Sequence, residues 1–229
     1  MSETNPAGGT DVMLRVAHYA LLSGLCQFIP VPFADDFADG QVRRQMVESL
    51  LRGRGRSFDM QQVKPLWAGR DTGIIRQAGG LAKALVLTPI KKVLRTVFFW
   101  LGIRRAILEA TEALALGHTI DRLLAAGWFP DDADPDQLRS AADRVVRAVE
   151  DSSSGSDWRG LKLLVRETAR RFKNAKLPFR RSETLSDEER QTLDAASEDL
   201  RARLETDEAQ SVLARFDAEV DRRLRGSSL

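Results

Sequence analysis

One cysteine, two histidines and one tyrosine are all that the 229 residues provide of these types. Cys26 has no partner for an internal disulfide, and no Cys-based zinc cluster can be built around it. A lone thiol fits a reducing compartment. His18 and His118 are too few and too far apart in sequence to argue for an imidazole metal site. No apolar run reaches the ~18 to 20 residues of a membrane-spanning helix. The opening MSETNPAGGTD has no basic stretch leading into an apolar core, so residues 1–10 read as a disordered tail and the expected location is the cytoplasm. No GxxxxGK[ST] phosphate loop occurs, and Ser23-Gly24 lacks the surroundings of a nucleophile elbow. Helix-turn-helix, RRM and OB signatures are missing too.

What is present is 43% apolar and 30% charged residues, the balance of a folded chain. The net charge of +2 is unevenly spread: residues 1–39 carry −4, residues 40–126 carry +9 and residues 127–229 carry −3. A basic middle between acidic ends meets either an anionic partner or the chain's own acids.

The apolar spacing is helical throughout and nothing reads as a strand, which makes the fold class all-α, a multi-helix bundle. A first helix is expected over Val12 to Phe28, apolar on nearly every side and stopped by Pro30 and Pro32. In a second, Phe33, Phe37, Val42, Met46, Val47, Leu50 and Leu51 form one stripe, and GRGR at 53–56 ends it. Residues 57–80 read as a loop with helical turns around Trp67. Thr88-Pro89 opens a helix that stops at Gly102, and a separate helix runs from Ile103 to Ala126, ended by Gly127 and Pro130. Asp134-Pro135 starts the next, to about Asp151, and Asp157 caps another to about Asn174. A linker at 176–186 leads to a polar arm at 187–226, opened by the capping box Ser186-x-x-Glu189. Thr206 caps its second helix, where Leu213, Phe216, Val220 and Leu224 make a narrow stripe suited to a hairpin or coiled coil, a route to self-association. The remaining unit is a helical domain over 11–175.

Asp35-Asp36-x-x-Asp39 resembles the DDxxD of prenyl diphosphate synthases, which holds magnesium against a diphosphate. The three carboxylates share a helical face, as chelation requires, but no second acidic cluster of matching spacing completes a cage. Acids in a first helical turn with Arg43 and Arg44 farther along are the simpler reading, and Asp39 with Arg43 is an i, i+4 pair. A structural ion-pair network with the basic middle is the other alternative.

The run HYALLSGLCQFIPVPFADDFADGQVRRQMVESL joins an apolar helix to I-P-x-P and then to a helix opening on Asp. It resembles the helical domain of unknown function attached to some bacterial GTPases and inner-membrane proteins. The resemblance covers roughly residues 18–50 and implies helical packing close to membranes, with no catalytic motif.

The stretch KALVLTPIKKVLRTVFFWLGIRR combines the two ingredients of an interfacial helix. Lys91, Lys92, Arg95, Arg104 and Arg105 can meet phosphate, and Phe98, Phe99 and Trp100 can supply apolar contact. The expectation is therefore a non-enzymatic adaptor or scaffold, docking on an anionic membrane surface or a protein partner through these helices. No catalytic residue, cofactor or metal is assigned. The alternative is a magnesium-dependent enzyme acting on a phosphorylated substrate through Asp35, Asp36 and Asp39. A nucleic-acid binder using RGRGR at 52–56 comes third.

Overall fold

A computed structural model of the chain describes residues 6–27, 34–68, 91–153, 156–172 and 187–226, with side chains over 11–27, 38–68, 104–153, 158–170 and 187–226. These residues form eight helices and no strand: α1 (Pro6–Cys26), α2 (Ala34–Gly53), α3 (Pro65–Ala68), α4 (Lys91–Ala125), α5 (Pro135–Ser152), α6 (Ser156–Phe172), α7 (Asp187–Leu204) and α8 (Asp207–Gly226). The all-α bundle is thus present. No helix among the described residues is long and apolar enough to cross a membrane.

Helix α4 is the axis of the bundle. It packs against α1, α2, α5 and α6, while α7 lies on α1 and α6, and α8 lies on α5 and α6. From Ile107 to Leu124 it is buried on nearly all sides, with Ala113, Leu114, Ala115 and Ile120 at or near zero exposure. Small residues let α1 approach it closely. A Cβ on Gly24 would stand 2.7 Å from the carbonyl oxygen of Ala106 and 3.0 Å from Ala110 Cβ.

Helix ends follow the local chemistry. Gly127 (φ 73°) closes α4, with Gly127 N–H bonded to the Leu124 carbonyl (3.1 Å) and Trp128 N–H to that of Leu123 (2.9 Å). Gly55 (φ 69°) closes α2 in the same way, through Arg56 N–H to Leu51 and Gly55 N–H to Arg52. Both are Schellman endings, which use a left-handed residue to satisfy the last carbonyls. Thr206 caps α8, accepting from Ala209 N–H at 3.3 Å. Asp134 stands at the N-cap of α5 ahead of Pro135, but its side chain makes no capping bond.

Two expectations need correction. Gly102 does not end a helix: α4 runs unbroken from Lys91 to Ala125. An interior glycine costs only about 1 kcal/mol relative to alanine, and no proline follows it to enforce a stop. Helix α1 begins at Pro6 rather than near Val12, since proline fits a first helical turn, where its missing N–H is no loss. Thr88-Pro89, Pro30, Pro32, Ser186 and the linker at 176–186 lie outside the described residues, as do the side chains of Phe33, Phe37 and Asp157.

The last two helices join the same core as the rest. Leu200, Leu204, Leu213, Phe216, Val220 and Leu224 are all buried within it, and the Phe216 ring sits 6.3 Å from that of Trp158. The stripe on α8 that suggested a coiled coil is covered inside this chain. Arg122 of α4 grips Asp221 of α8 through two bonds (2.7 and 3.2 Å) and also meets Asp217 (3.2 Å).

Candidate functional site

The cationic and aromatic residues of the interfacial stretch share one element. Lys91, Lys92, Arg95, Phe98, Phe99 and Trp100 belong to the N-terminal portion of α4, where side chains are not described. Arg104 and Arg105 follow on the same helix, both exposed. Arg104 has no ion-pair partner among the described residues, and Arg105 lies 3.9 Å from Glu109. From Ile107 on, the apolar side chains of the helix enter the core. Its rise of 1.5 Å per residue makes α4 about 52 Å long.

The acidic motif divides differently. Asp35 and Asp36 lie on the first turn of α2 with side chains outside the described set. Asp39 is engaged on both oxygens: Ser23 Oγ donates to Oδ1, and Arg43 Nε meets Oδ2 at 2.8 Å. Arg43 then reaches across to α4, to Glu109 (3.0 Å) and Glu112 (3.7 Å). The Arg43 and Asp39 side chains are 14% and 15% exposed, so this is a largely desolvated network. Burial pushes the Glu109 carboxyl above its ordinary range, against the downward pull of Arg43. Burial also raises Glu112, with Glu109 adding to it. Like charge among the three carboxylates adds to that upward push, behind burial. The described residues include no group of His, Cys, Asp and Glu placed to hold a metal. The i, i+4 pair of Asp39 and Arg43 near the start of α2 is present, as in the helix-start reading, and Arg43 extends it to Glu109 as an ion-pair network.

The RGRGR arginines each pair with an acid of the chain itself. Arg52 pairs with Glu48 (2.7 Å), Arg54 holds Asp121 through two 2.7 Å bonds, and Arg56 pairs with Asp131. Arg44 stacks over the Trp67 ring at 5.4 Å, and Trp67 Nε1 donates to the Met60 carbonyl (2.9 Å). Much of the positive charge in the middle of the chain is therefore answered by the chain's own acids.

The scarce residues have structural roles. His118 Nε2 lies 3.1 Å from Asp217 Oδ2 across the α4–α8 contact. His18 sits between α1 and α7, 3.4 Å from Ser197 Oγ and 3.6 Å from Asp194. Desolvation lowers its pKa, and Asp194 only partly offsets this. Cys26 is buried.

Sequence reasoning did not single out a surface cavity of about 610 Å³ between the end of α4 and α5, where Arg144 stacks over Trp128 at 5.4 Å. Its residues come from the turn after Gly127 and from one face of α5, and only the fold brings them together. No family model, curated protein or solved structure matches this chain.

Proposed function

We propose that the protein is a non-enzymatic adaptor that docks on an anionic membrane surface through the N-terminal portion of α4. The observation that supports this reading is the continuity of α4 through Gly102. Cations and large apolar residues between Lys91 and Arg105 stand on one stiff rod whose other half is anchored in the core. Basic residues near an anionic leaflet contribute about 1 kcal/mol each, and aromatic side chains add contact at the headgroup boundary. The resemblance of residues 18–50 to a helical domain found on membrane-associated bacterial proteins points the same way.

Flotation with phosphatidylcholine vesicles, with and without phosphatidylserine, tests the proposal. Binding to the anionic vesicles alone, weakened by salt and by Lys91→Glu with Lys92→Glu and Arg95→Glu, is the expected result. Unchanged flotation of that triple variant removes the assignment, and a partner protein captured through the same residues redirects it.

A further inference from the structure

Helix α6 carries a second cationic face. One side of it is core: Trp158, Leu161, Val165 and Thr168 are buried. At 3.6 residues per turn, Arg159, Leu163, Arg166 and Arg170 fall within an arc of about 60° on the opposite side. All four are exposed, and Lys162 flanks them, half-buried. The face extends about 16 Å along the helix from Arg159 to Arg170.

These cations differ from most arginines of the molecule. Arg43, Arg54, Arg56, Arg122, Arg201, Arg203, Arg222 and Arg223 all pair with acids. Arg159, Lys162, Arg166 and Arg170 have no ion-pair or hydrogen-bond partner among the described residues. Glu167, which could answer Arg166 or Arg170, is instead held by Arg203 of α7 at 2.9 Å. The bundle takes away the nearby acid and leaves the cations without a paired acid among the described residues.

Leu163 decides what kind of surface this face fits. It is the one large hydrophobic residue exposed among the described residues, at 42%, and it lies amid the arginines. A phosphate-tracking surface for single-stranded nucleic acid combines a basic groove with aromatic side chains for base stacking. This face has no aromatic in its arc. A leucine surrounded by arginines suits the boundary between headgroups and acyl chains.

We infer that the outer face of α6, through Arg159, Leu163, Arg166 and Arg170, is a contact surface for an anionic lipid bilayer. The inference shares its class of partner with the proposed function but rests on different residues of a different helix.

The test is vesicle partitioning of the full chain at low salt, with phosphatidylcholine alone and with added phosphatidylserine. The variants are Arg159→Gln with Arg166→Gln and Arg170→Gln, Leu163→Gln, and the α4 charge-reversal variant. Each exposed position is solvent-facing, so far-UV circular dichroism and the melting curve should match the parent. At about fivefold per cation, the triple α6 variant loses about a hundredfold in partitioning to anionic vesicles. Leu163→Gln loses severalfold without altering the salt dependence. Full binding by the triple α6 variant, with loss confined to the α4 variant, overturns the inference and leaves the α4 reading standing. Loss in the α6 variant alone supports the inference and removes the α4 reading. A parent that binds oligonucleotides but no vesicle overturns both.

Discussion

Arg43 binds Asp39 one turn earlier on its own helix and, with the same guanidinium, Glu109 on α4. The pair locks α2 to the central helix. Removing the cation strands Asp39 and Glu109, 15% and 22% exposed, beside the more open Glu112. Breaking a buried ion pair by deleting one partner typically costs about 3–5 kcal/mol. Arg43→Met should therefore lower the urea midpoint strongly, whereas Asp39→Asn, which keeps an acceptor for Ser23 Oγ and removes one excess charge, should cost much less. Equal losses would show that this network is not the source of the coupling. Magnesium with diphosphate should leave the melting temperature of the parent unchanged, because both Asp39 oxygens are already engaged.

Gly24 sits where α1 meets α4 backbone to backbone. A methyl group there would press 2.7 Å from the Ala106 carbonyl oxygen, an atom that cannot rotate away. Gly24→Ala should destabilise by about 1–3 kcal/mol, the range for overpacking, despite the better helix propensity of alanine. Chemical denaturation gives the value. An increase in stability would mean that the two helices slide apart at little cost.

The interface between α1 and α7 should respond to acid. The folded-state pKa of His18 is lowered below its ordinary value by desolvation. The unfolded chain therefore takes up this proton first, and stability is lost as pH falls below about 6.5 toward the folded pKa. The groups facing the ring are Asp194 and Ser197 on α7 and Tyr19 beside it on α1. Glu109 and Glu112 act in the opposite sense, because their raised values favour proton uptake by the folded state. The difference between parent and His18→Gln isolates the histidine. Between pH 7.5 and 5.5 the parent should lose more thermal stability than the variant. The gap should be small, since 34% of the side chain is exposed and solvent screens the charge. Parallel pH profiles would remove His18 from the account.

Local signals were readable where a single residue controls the backbone. Gly127 ends α4, the GRGR run ends α2 and Thr206 caps α8, each because one residue satisfies orphan groups within its own turn. Gly102 misled, because a glycine stops a helix only when the chain has reason to turn there, and the helix continues straight into its core contacts. Pairings over long separations were not readable. Nothing local tells that Arg43 will find Glu109 or that Arg54 will find Asp121. The cationic face of α6 was hidden by averaging: the last 103 residues sum to −3, although residues 159–181 hold nine Lys and Arg against Glu167 alone.

The contact between His18 and Ser197 joins positions 179 residues apart. It follows that α1 cannot complete its packing until α7, 179 residues further along, has left the ribosome. Helical bundles usually fold fast because their contacts are local. Here the face of α1 that receives α7 stays exposed throughout synthesis, for some ten seconds or more at about 5–20 residues per second. During that interval the nascent chain presents apolar surface with no internal cover.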